Sequence, residues 1–257
     1  MPVGIYTCWH KIKNMFKNLH VFRASRQGLA FLQHHGPLGV AREALAIGLA
    51  RLKGALLPAE QAAYRKREAE FDCAHGVDTA GWVSLHTLDG FVGPHRDEGC
   101  PHLSVDPERF RERIAALGID FPRYTFLDLG CGKGRTLLIA AQFPFRRVRG
   151  VEFAPALHAV AEKNIAVDCG PRRCGDVRAD LADAAEYPVP DGPLVVFMYN
   201  PFFGSVMDRV LANLARSHRE QPRDIKVFYW NPVHAALFGR HGFTRIAALP
   251  ESAIFIL

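Results

Sequence analysis

The chain has 257 residues, which is enough for one large α/β domain with an extension, and 49% of them are hydrophobic, so a well-filled core is possible. Six cysteines without a framework spacing exclude a disulfide-dependent scaffold in a chain of this size and predict the reduced thiols of a cytoplasmic protein. Charges at Arg42, Glu43, Arg51 and Lys53 interrupt the most apolar stretch, so neither a membrane span nor a signal peptide is expected.

The first predicted region is a basic helical arm or cap over residues 1–70. It carries 11 Lys and Arg against 4 Asp and Glu, whereas the rest of the chain is nearly balanced at 21 against 22, so the net charge of +6 originates here. Lys11 to Arg26 form a short amphipathic pattern that could meet an anionic membrane or nucleic acid. The more ordinary interpretation is a solvated face with an apolar stripe packed on the domain. No nucleic-acid-binding signature accompanies it.

The second predicted region, residues 71–123, is a connection between the arm and the main domain. From Phe71 to Pro107 the sequence has Gly, Asp, Pro and His clusters with little periodicity, which favours loops that fold over a site. Arg109 to Leu117 then predict a helix that enters the domain.

The third predicted region, residues 124–257, alternates strands and helices in the rhythm of a parallel sheet with crossover helices. Five such units and a terminal hairpin predict a Rossmann-like, mostly parallel sheet of seven strands with a helical N-terminal extension. The predicted strands are Thr125–Leu129, Arg147–Glu152, Val177–Ala179, Leu194–Tyr199, Ile225–Trp230, Thr244–Leu249 and Ser252–Ile256. The predicted helices are Thr136–Gln142, Pro155–Asn164, Val206–Arg216 and Val233–His241.

The run from Phe126 to Arg135 predicts a strand, a glycine turn and the start of a helix, an arrangement that lets a ligand approach free main-chain N–H groups. Its spacing is G-x-G-x-G, and Arg135 stands where a dinucleotide fingerprint needs its third glycine, which counts against NAD and FAD. A plain turn in another α/β fold is the alternative. Eighteen residues beyond Gly134, Glu152 ends the next strand, where a carboxylate can accept hydrogen bonds from both hydroxyls of a ribose.

Together these features resemble class I methyltransferases that use S-adenosylmethionine, and specifically bacterial proteins similar to the histone methylation (disruptor of telomeric silencing) family. The resemblance covers roughly residues 71–257. The residues that carry it are Phe71-Asp72, Gly76-Val77-Asp78-Thr79, Phe126 to Arg135, Pro144-Phe145, Gly150-Val151-Glu152-Phe153, Leu157, Asn164 and Asn200-Pro201-Phe202.

The resemblance implies a set of residues that hold S-adenosylmethionine. Asp128 would orient the amino acid end of the cofactor, Glu152 the ribose, and Phe153 would pack on the adenine. Asp183 and Ala184 fit the place where the adenine amino group and ring nitrogen are bound, with Asp180 as a rival. The glycine loop would line the cofactor through Gly130, Cys131, Gly132 and Gly134.

The end of the fourth strand of this domain carries the motif Asn200-Pro201-Phe202, which resembles the Asn-Pro-Pro-aromatic motif of amino-group methyltransferases with Phe202 in place of the second proline. In that motif the Asn side chain and a following carbonyl accept hydrogen bonds from the target nitrogen. We therefore predict Asn200 as the acceptor of the substrate amine, in contact with the cofactor as well, and Tyr199 or Phe202 as a wall of the transfer channel. A strand-ending Asn-Pro turn without a catalytic role is the alternative.

Several other polar residues are weaker candidates. By resemblance alone, Asp78 and Thr79 would reach the methionine end of the cofactor or the substrate, although an Asx turn or helix cap explains them equally well. Lys133 and Arg135 could attract an acidic substrate but are more typical of solvent-facing turns. The C-x-H pairs Cys73/His75 and Cys100/His102 match no common zinc spacing, so no metal is expected.

The sequence thus predicts an S-adenosylmethionine-dependent methyltransferase that acts on a nitrogen of a protein side chain or small molecule, with nucleic acid bases at lower weight. The competing hypothesis is a domain that binds the cofactor without catalysis and uses its basic arm for interaction or membrane docking. A nucleotide-binding oxidoreductase is disfavoured by the glycine spacing.

Overall fold

The computed structural model describes residues 58–249 and 251–257. The chain divides into two compact units, residues 1–62 and 63–257, and the second contains all of the sheet structure given below. The basic arm before residue 58 lies outside the described residues. Its predicted helices and its possible contact with a membrane or nucleic acid therefore stay predictions. Within the described part of the chain, no helix has both the length and the apolar character needed to cross a bilayer.

A seven-stranded, mostly parallel sheet forms the centre of the fold, which confirms the predicted Rossmann-like methyltransferase architecture. In chain order the helices are α1 Pro58–His75, α2 Pro107–Ala115, α3 Arg135–Ala140, α4 Pro155–Val167, α5 Gly204–Glu220 and α6 Ala235–Phe238. The strands are β1 Trp82–Val83, β2 His102–Leu103, β3 Thr125–Leu129, β4 Arg147–Glu152, β5 Val177–Leu181, β6 Leu194–Tyr199, β7 Ile225–Trp230, β8 Thr244–Leu249 and β9 Ser252–Ile256.

The strand order of this sheet is β5-β4-β3-β6-β7-β9-β8, with β3 to β7 parallel and β9 antiparallel to both of its neighbours. The order reverses direction between β3 and β6, because the chain first builds outward to β5 and then returns to the other side of β3. In open parallel sheets such a switch point leaves a crevice at the carboxyl ends of the strands. The residues after β3 and β6 are therefore brought together there.

Helix and strand boundaries differ from the sequence prediction in a few places. The helix α1 runs through Phe71 to His75, where loops are predicted, and β5 is two residues longer than predicted. The predicted helix at Val233–His241 is only the short α6 and a 3₁₀ turn, Gly239–His241, because Pro232 and Gly242 bracket the segment. Between α1 and α2 the short strands β1 and β2 pair antiparallel.

Aromatic side chains fill the core on the face of the sheet that carries α2 and α3. Phe110 of α2 is fully buried, and its ring lies 4.8 Å from that of Phe197 and 6.2 Å from those of Phe126 and Phe228. These three partners belong to β3, β6 and β7, so one ring ties the entry helix to the three central strands. Asp106 caps this helix by accepting from the main-chain N–H groups of the first turn.

We expect Phe110→Ala to lower the free energy of unfolding by about 3–5 kcal/mol, because the substitution leaves a cavity among rings that cannot close onto it. Urea unfolding followed by circular dichroism measures this. The control is Glu112→Ala on the same helix, an exposed site that we expect to change stability by about 0.5 kcal/mol or less. Equal losses in the two variants would contradict the anchoring role of Phe110.

Candidate active site

A cavity lies at the carboxyl edge of β3, β4 and β6, at the switch point of the sheet, and encloses about 670 Å³ that is partly open to solvent. The predicted residues that line it are Gly130, Gly132, Glu152, Phe153, Asp183, Ala184, Tyr199 and Phe202. The structure thus brings eight of the predicted site residues together around one space. Four further predicted residues, Asp128, Cys131, Gly134 and Asn200, lie beside or beneath this lining.

The glycine loop needs glycine at the two positions that line the cavity. Gly130 and Gly132 have φ of +92° and +55°, a region that L side chains rarely adopt. A Cβ at Gly130 would lie 2.5 Å from the Cβ of Pro201, and a Cβ at Gly132 would overlap the ring of His102. The loop is therefore a cradle of bare main chain, and side chains from other segments pack directly against it.

Glu152 at the end of β4 is buried and holds the glycine loop in place. Its two carboxylate oxygens accept hydrogen bonds from the main-chain N–H groups of Gly132 and Ala154, at 2.8 Å and 2.9 Å. Burial raises the pKa of Glu152, and these hydrogen bonds to the charged form oppose the rise. Each oxygen keeps a second lone pair, so the carboxylate has the capacity to accept hydrogen bonds from a ligand as well.

Asp128 lies beneath the glycine loop and does not line the cavity. It is buried at the end of β3 and accepts a hydrogen bond from the hydroxyl of Thr136 in the following helix. Burial raises the pKa of Asp128 to about 7, and the nearby charge of Glu152 acts in the same direction. Cys131 is also buried behind the loop, and Gly134 begins α3 against Ala161.

Asp183, rather than Asp180, is the carboxylate of the β5 loop that lines the cavity. One oxygen of Asp183 accepts from the main-chain N–H of Ala185 at 2.9 Å, and the other lies 2.5 Å from Nδ1 of His95. Asp180 accepts a hydrogen bond from the hydroxyl of Tyr187 at 2.6 Å. The candidate adenine contact is therefore already engaged by a residue from outside the predicted motif.

A segment that we call the crossing loop, residues 91–101, covers the cavity. Its Val92 N–H donates to the carbonyl of Phe153 at 2.9 Å, and the ring of Phe91 lies 4.9 Å from that of Phe153. Together with the contact between His95 and Asp183, these bonds place the crossing loop over the predicted adenine side.

The far end of the crossing loop pairs with the Asn-Pro-Phe segment. The N–H of Cys100 donates to the carbonyl of Pro201 at 2.8 Å, and the N–H of Phe203 donates to the carbonyl of Glu98 at 3.0 Å. The Glu98 carboxylate accepts from the Ser205 hydroxyl and the Val206 N–H, where negative charge is favoured at the start of α5. The crossing loop, as the roof of the cavity, and the Asn-Pro-Phe segment, as its wall, are therefore joined by hydrogen bonds.

Asn200 has a left-handed main chain with φ of +43° and stands between two cavity-lining residues, Tyr199 and Pro201. Asn tolerates this conformation better than most residues do. Its carboxamide oxygen accepts a hydrogen bond from the hydroxyl of Tyr229 at 2.9 Å. Burial raises the pKa of Tyr199 to about 12, so this wall of the cavity is a neutral phenol at physiological pH.

Two cationic residues of the glycine loop are predicted to face solvent, but in the structure both are paired with carboxylates and largely buried. Lys133 donates to Asp78 at 2.8 Å and to the carbonyl of Ala80 at 3.0 Å. Arg135 is 2% exposed and forms an ion pair with Glu68 at 2.7 Å. The prediction was wrong because the segment before the domain folds against the loop and supplies the anions that pair with these cations.

Asp78 and Thr79 belong to the same contact and pack behind the glycine loop. The main-chain N–H and carbonyl of Asp78 form two hydrogen bonds with the carboxamide of Asn164, at 3.0 Å and 2.8 Å. The Thr79 hydroxyl accepts from Arg135 Nε at 2.7 Å. Neither residue is among those that line the cavity, so their visible role is to hold the loop.

The sequence prediction missed the cavity residues that the crossing loop, β2 and the 3₁₀ turn Leu85–Thr87 contribute. They are Leu85, His95, Gly99, Cys100, Pro101, His102 and Leu103. Burial and the charges of Lys133 and Arg135 lower the pKa of His102 to about 4, so its ring is neutral at physiological pH. The available signal is the cluster of Gly, His and Pro without periodicity. It predicts loops over a site but does not indicate which of their residues line the cavity.

Comparison with known proteins adds a domain match. Residues 126–221 match the family model described as a methyltransferase domain. None of the curated proteins matches this sequence.

Several solved structures are similar to the chain. A predicted N6-adenine-specific DNA methylase from Listeria monocytogenes is 11% identical, over 60% of this chain and 51% of that one, at a TM-score of 0.46. A geranyl diphosphate methyltransferase with GPP and sinefungin is 17% identical, over 57% and 63%, at 0.45. An RNA methyltransferase from Salinibacter ruber with S-adenosyl-L-homocysteine is 21% identical, over 60% and 92%, at 0.42. The chain thus spans less than two thirds of the first two.

The glycine cradle with its buried acid and the Asn-Pro-Phe segment both lie within residues 126–221, the part of the chain that matches a methyltransferase domain. The sheet order places these two segments side by side.

The raised pKa of Asp128 gives the folded state a higher proton affinity than the unfolded state, so its contribution to stability is present at low pH and is lost as pH rises toward about 7. Asp128→Asn removes this dependence. We expect the stability of the variant relative to wild type to increase by roughly 1 kcal/mol per pH unit between pH 5 and pH 7, with the slope decreasing toward pH 7. Urea unfolding at both pH values measures it; a constant difference between the proteins would contradict the assignment.

Proposed function

We propose that the protein transfers a methyl group from S-adenosylmethionine to an amine nitrogen of a protein side chain or small molecule. The observation that carries the proposal is the contact between Pro201 and Gly130, which sets the Asn-Pro-Phe turn directly on the cofactor cradle. This proximity supports the proposal, because the segment that would recognise the acceptor lies next to the loop that would hold the donor.

The residues present fit the cofactor. Gly130 and Gly132 line the cavity without side chains, and Glu152 retains lone pairs for the hydroxyls of a ribose. Phe153 and Asp183 offer an apolar face and a carboxylate for the adenine, in the manner of similar enzymes. When bound, S-adenosylmethionine would supply an activated methyl group, and the protein's tasks are to align the acceptor and to exclude water.

On the proposed acceptor side, the polar carboxamide of Asn200 lies beside the mainly apolar residues that line the cavity. The carboxamide oxygen of Asn200 has one lone pair beyond the bond from Tyr229, so it can accept a hydrogen bond from an amine N–H. Tyr199 and Phe202 supply the flanking wall. An amine held by its hydrogen keeps its own lone pair for the methyl carbon, which is why we favour nitrogen as the methylated atom.

The first test is binding followed by transfer. We expect saturable calorimetric binding of S-adenosylmethionine and S-adenosylhomocysteine to wild type and to Asn200→Ala alike. With methyl-labelled donor and a proteome or metabolite extract, we expect transfer by wild type and a loss of about 100-fold in Asn200→Ala. Identification of the labelled product then names the acceptor.

The matched control is Asn213→Ala on α5. Its carboxamide donates to the carbonyl of Ala185, and Asn213 does not line the cavity. We expect it to transfer at the wild-type rate. Absence of binding to both ligands would refute the whole proposal. Binding without any transfer would instead support a non-catalytic cofactor-binding domain.

A further inference from the structure

A chain of hydrogen bonds beneath the acceptor wall ends on Asn200. The hydroxyl oxygen of Tyr229 lies 3.4 Å from the main-chain N–H of His234, which donates to it, and the Tyr229 hydroxyl donates to Oδ1 of Asn200 at 2.9 Å. A main-chain N–H can only donate, so the Tyr229 hydroxyl accepts from His234. Toward Asn200 the same hydroxyl is the donor and the carboxamide oxygen is the acceptor.

The tyrosine itself has little freedom to move. Tyr229 is fully buried at the end of β7, next to β6, and its ring stacks with Phe238 at 5.5 Å between centroids. Its hydroxyl is thus a fixed donor, set by a strand and a packed ring. Fixed supporting groups of this kind hold site residues in one orientation.

Asn200, by contrast, needs an external constraint. A carboxamide can turn about its terminal bond and exchange its oxygen and nitrogen, which have opposite hydrogen-bonding character. The left-handed main chain at Asn200 directly before Pro201 is also an uncommon conformation that the surroundings must maintain. A hydroxyl donor selects the oxygen and rejects the amide nitrogen.

We propose that Tyr229 is a positioning residue for methyl transfer: it acts through Asn200 and keeps the carboxamide oxygen oriented as the acceptor of the substrate amine. This inference rests on the proposed function and extends it to a residue that touches neither donor nor acceptor. The role proposed for this tyrosine arises from the register of β6 and β7, which brings its hydroxyl to Asn200.

The test is Tyr229→Phe, which removes one hydroxyl and leaves the buried ring. In the labelled-transfer assay with extract as acceptor source, we expect the rate at saturating donor to fall about tenfold while the KM for S-adenosylmethionine stays within about twofold. We expect the double variant with Asn200→Ala to be no slower than Asn200→Ala alone, because Tyr229 acts only through Asn200.

The matched control is Tyr124→Phe, which removes the hydroxyl that donates to Asp224 at 2.5 Å at the opposite edge of the sheet. We expect wild-type transfer from it. A wild-type rate in Tyr229→Phe, or equal losses in the two tyrosine variants, would overturn the positioning role while the proposed function stands.

A measurement without turnover separates this inference from the proposed function. In ¹⁵N-labelled protein, the side-chain amide resonances of Asn200 are assigned by their loss in Asn200→Ala. We expect them to shift in Tyr229→Phe and to stay in place in Tyr124→Phe. If wild type transfers no methyl group, the proposed function fails, while this result still reports whether Tyr229 holds the Asn200 carboxamide. Unchanged resonances in Tyr229→Phe would overturn the positioning role of Tyr229.

Discussion

The contact between Pro201 and Gly130 is the constraint on which the site depends. It exists because β3 and β6 are adjacent parallel strands, so the turns that follow them meet at one edge of the sheet. Only a residue without a Cβ permits the approach at position 130. The same pair thus joins the glycine cradle to the Asn-Pro-Phe segment.

The crossing loop completes the cavity largely through main-chain hydrogen bonds. Cys100 and Glu98 form hydrogen bonds with Pro201 and Phe203 as a short strand pair would, so the crossing loop and the Asn-Pro-Phe segment are held together. The Pro201 carbonyl that accepts from Cys100 belongs to the segment that we propose to recognise the acceptor. Under that proposal, residues 91–101 would contribute to the choice of acceptor together with the sheet.

The sequence predicted the sheet well, because β3, β6 and β7 are largely apolar runs bounded by clear breakers, and all seven predicted strands are present. It also predicted the acid that ends β4, and it named Asp183 for the cavity with Asp180 as a rival. It could not assign residues 91–101 to the cavity or link Tyr229 to Asn200, since hydrogen bonds from an aperiodic loop and from strand register leave no local pattern. Arg135 was misjudged for the same reason: its partners, Glu68 and Asp72, lie more than 60 residues away.

The distribution of charge favours a cationic ligand in the cavity. Lys133 and Arg135 are the cations nearest to the cradle, yet both turn behind it to pair with Asp78 and Glu68, and no Lys or Arg is among the described residues that line the space. Glu152 and Asp183 line the cavity, and main-chain N–H groups and His95 are opposed to them. Burial raises the pKa of Glu152, so a positively charged ligand near this carboxyl group would favour its ionised form.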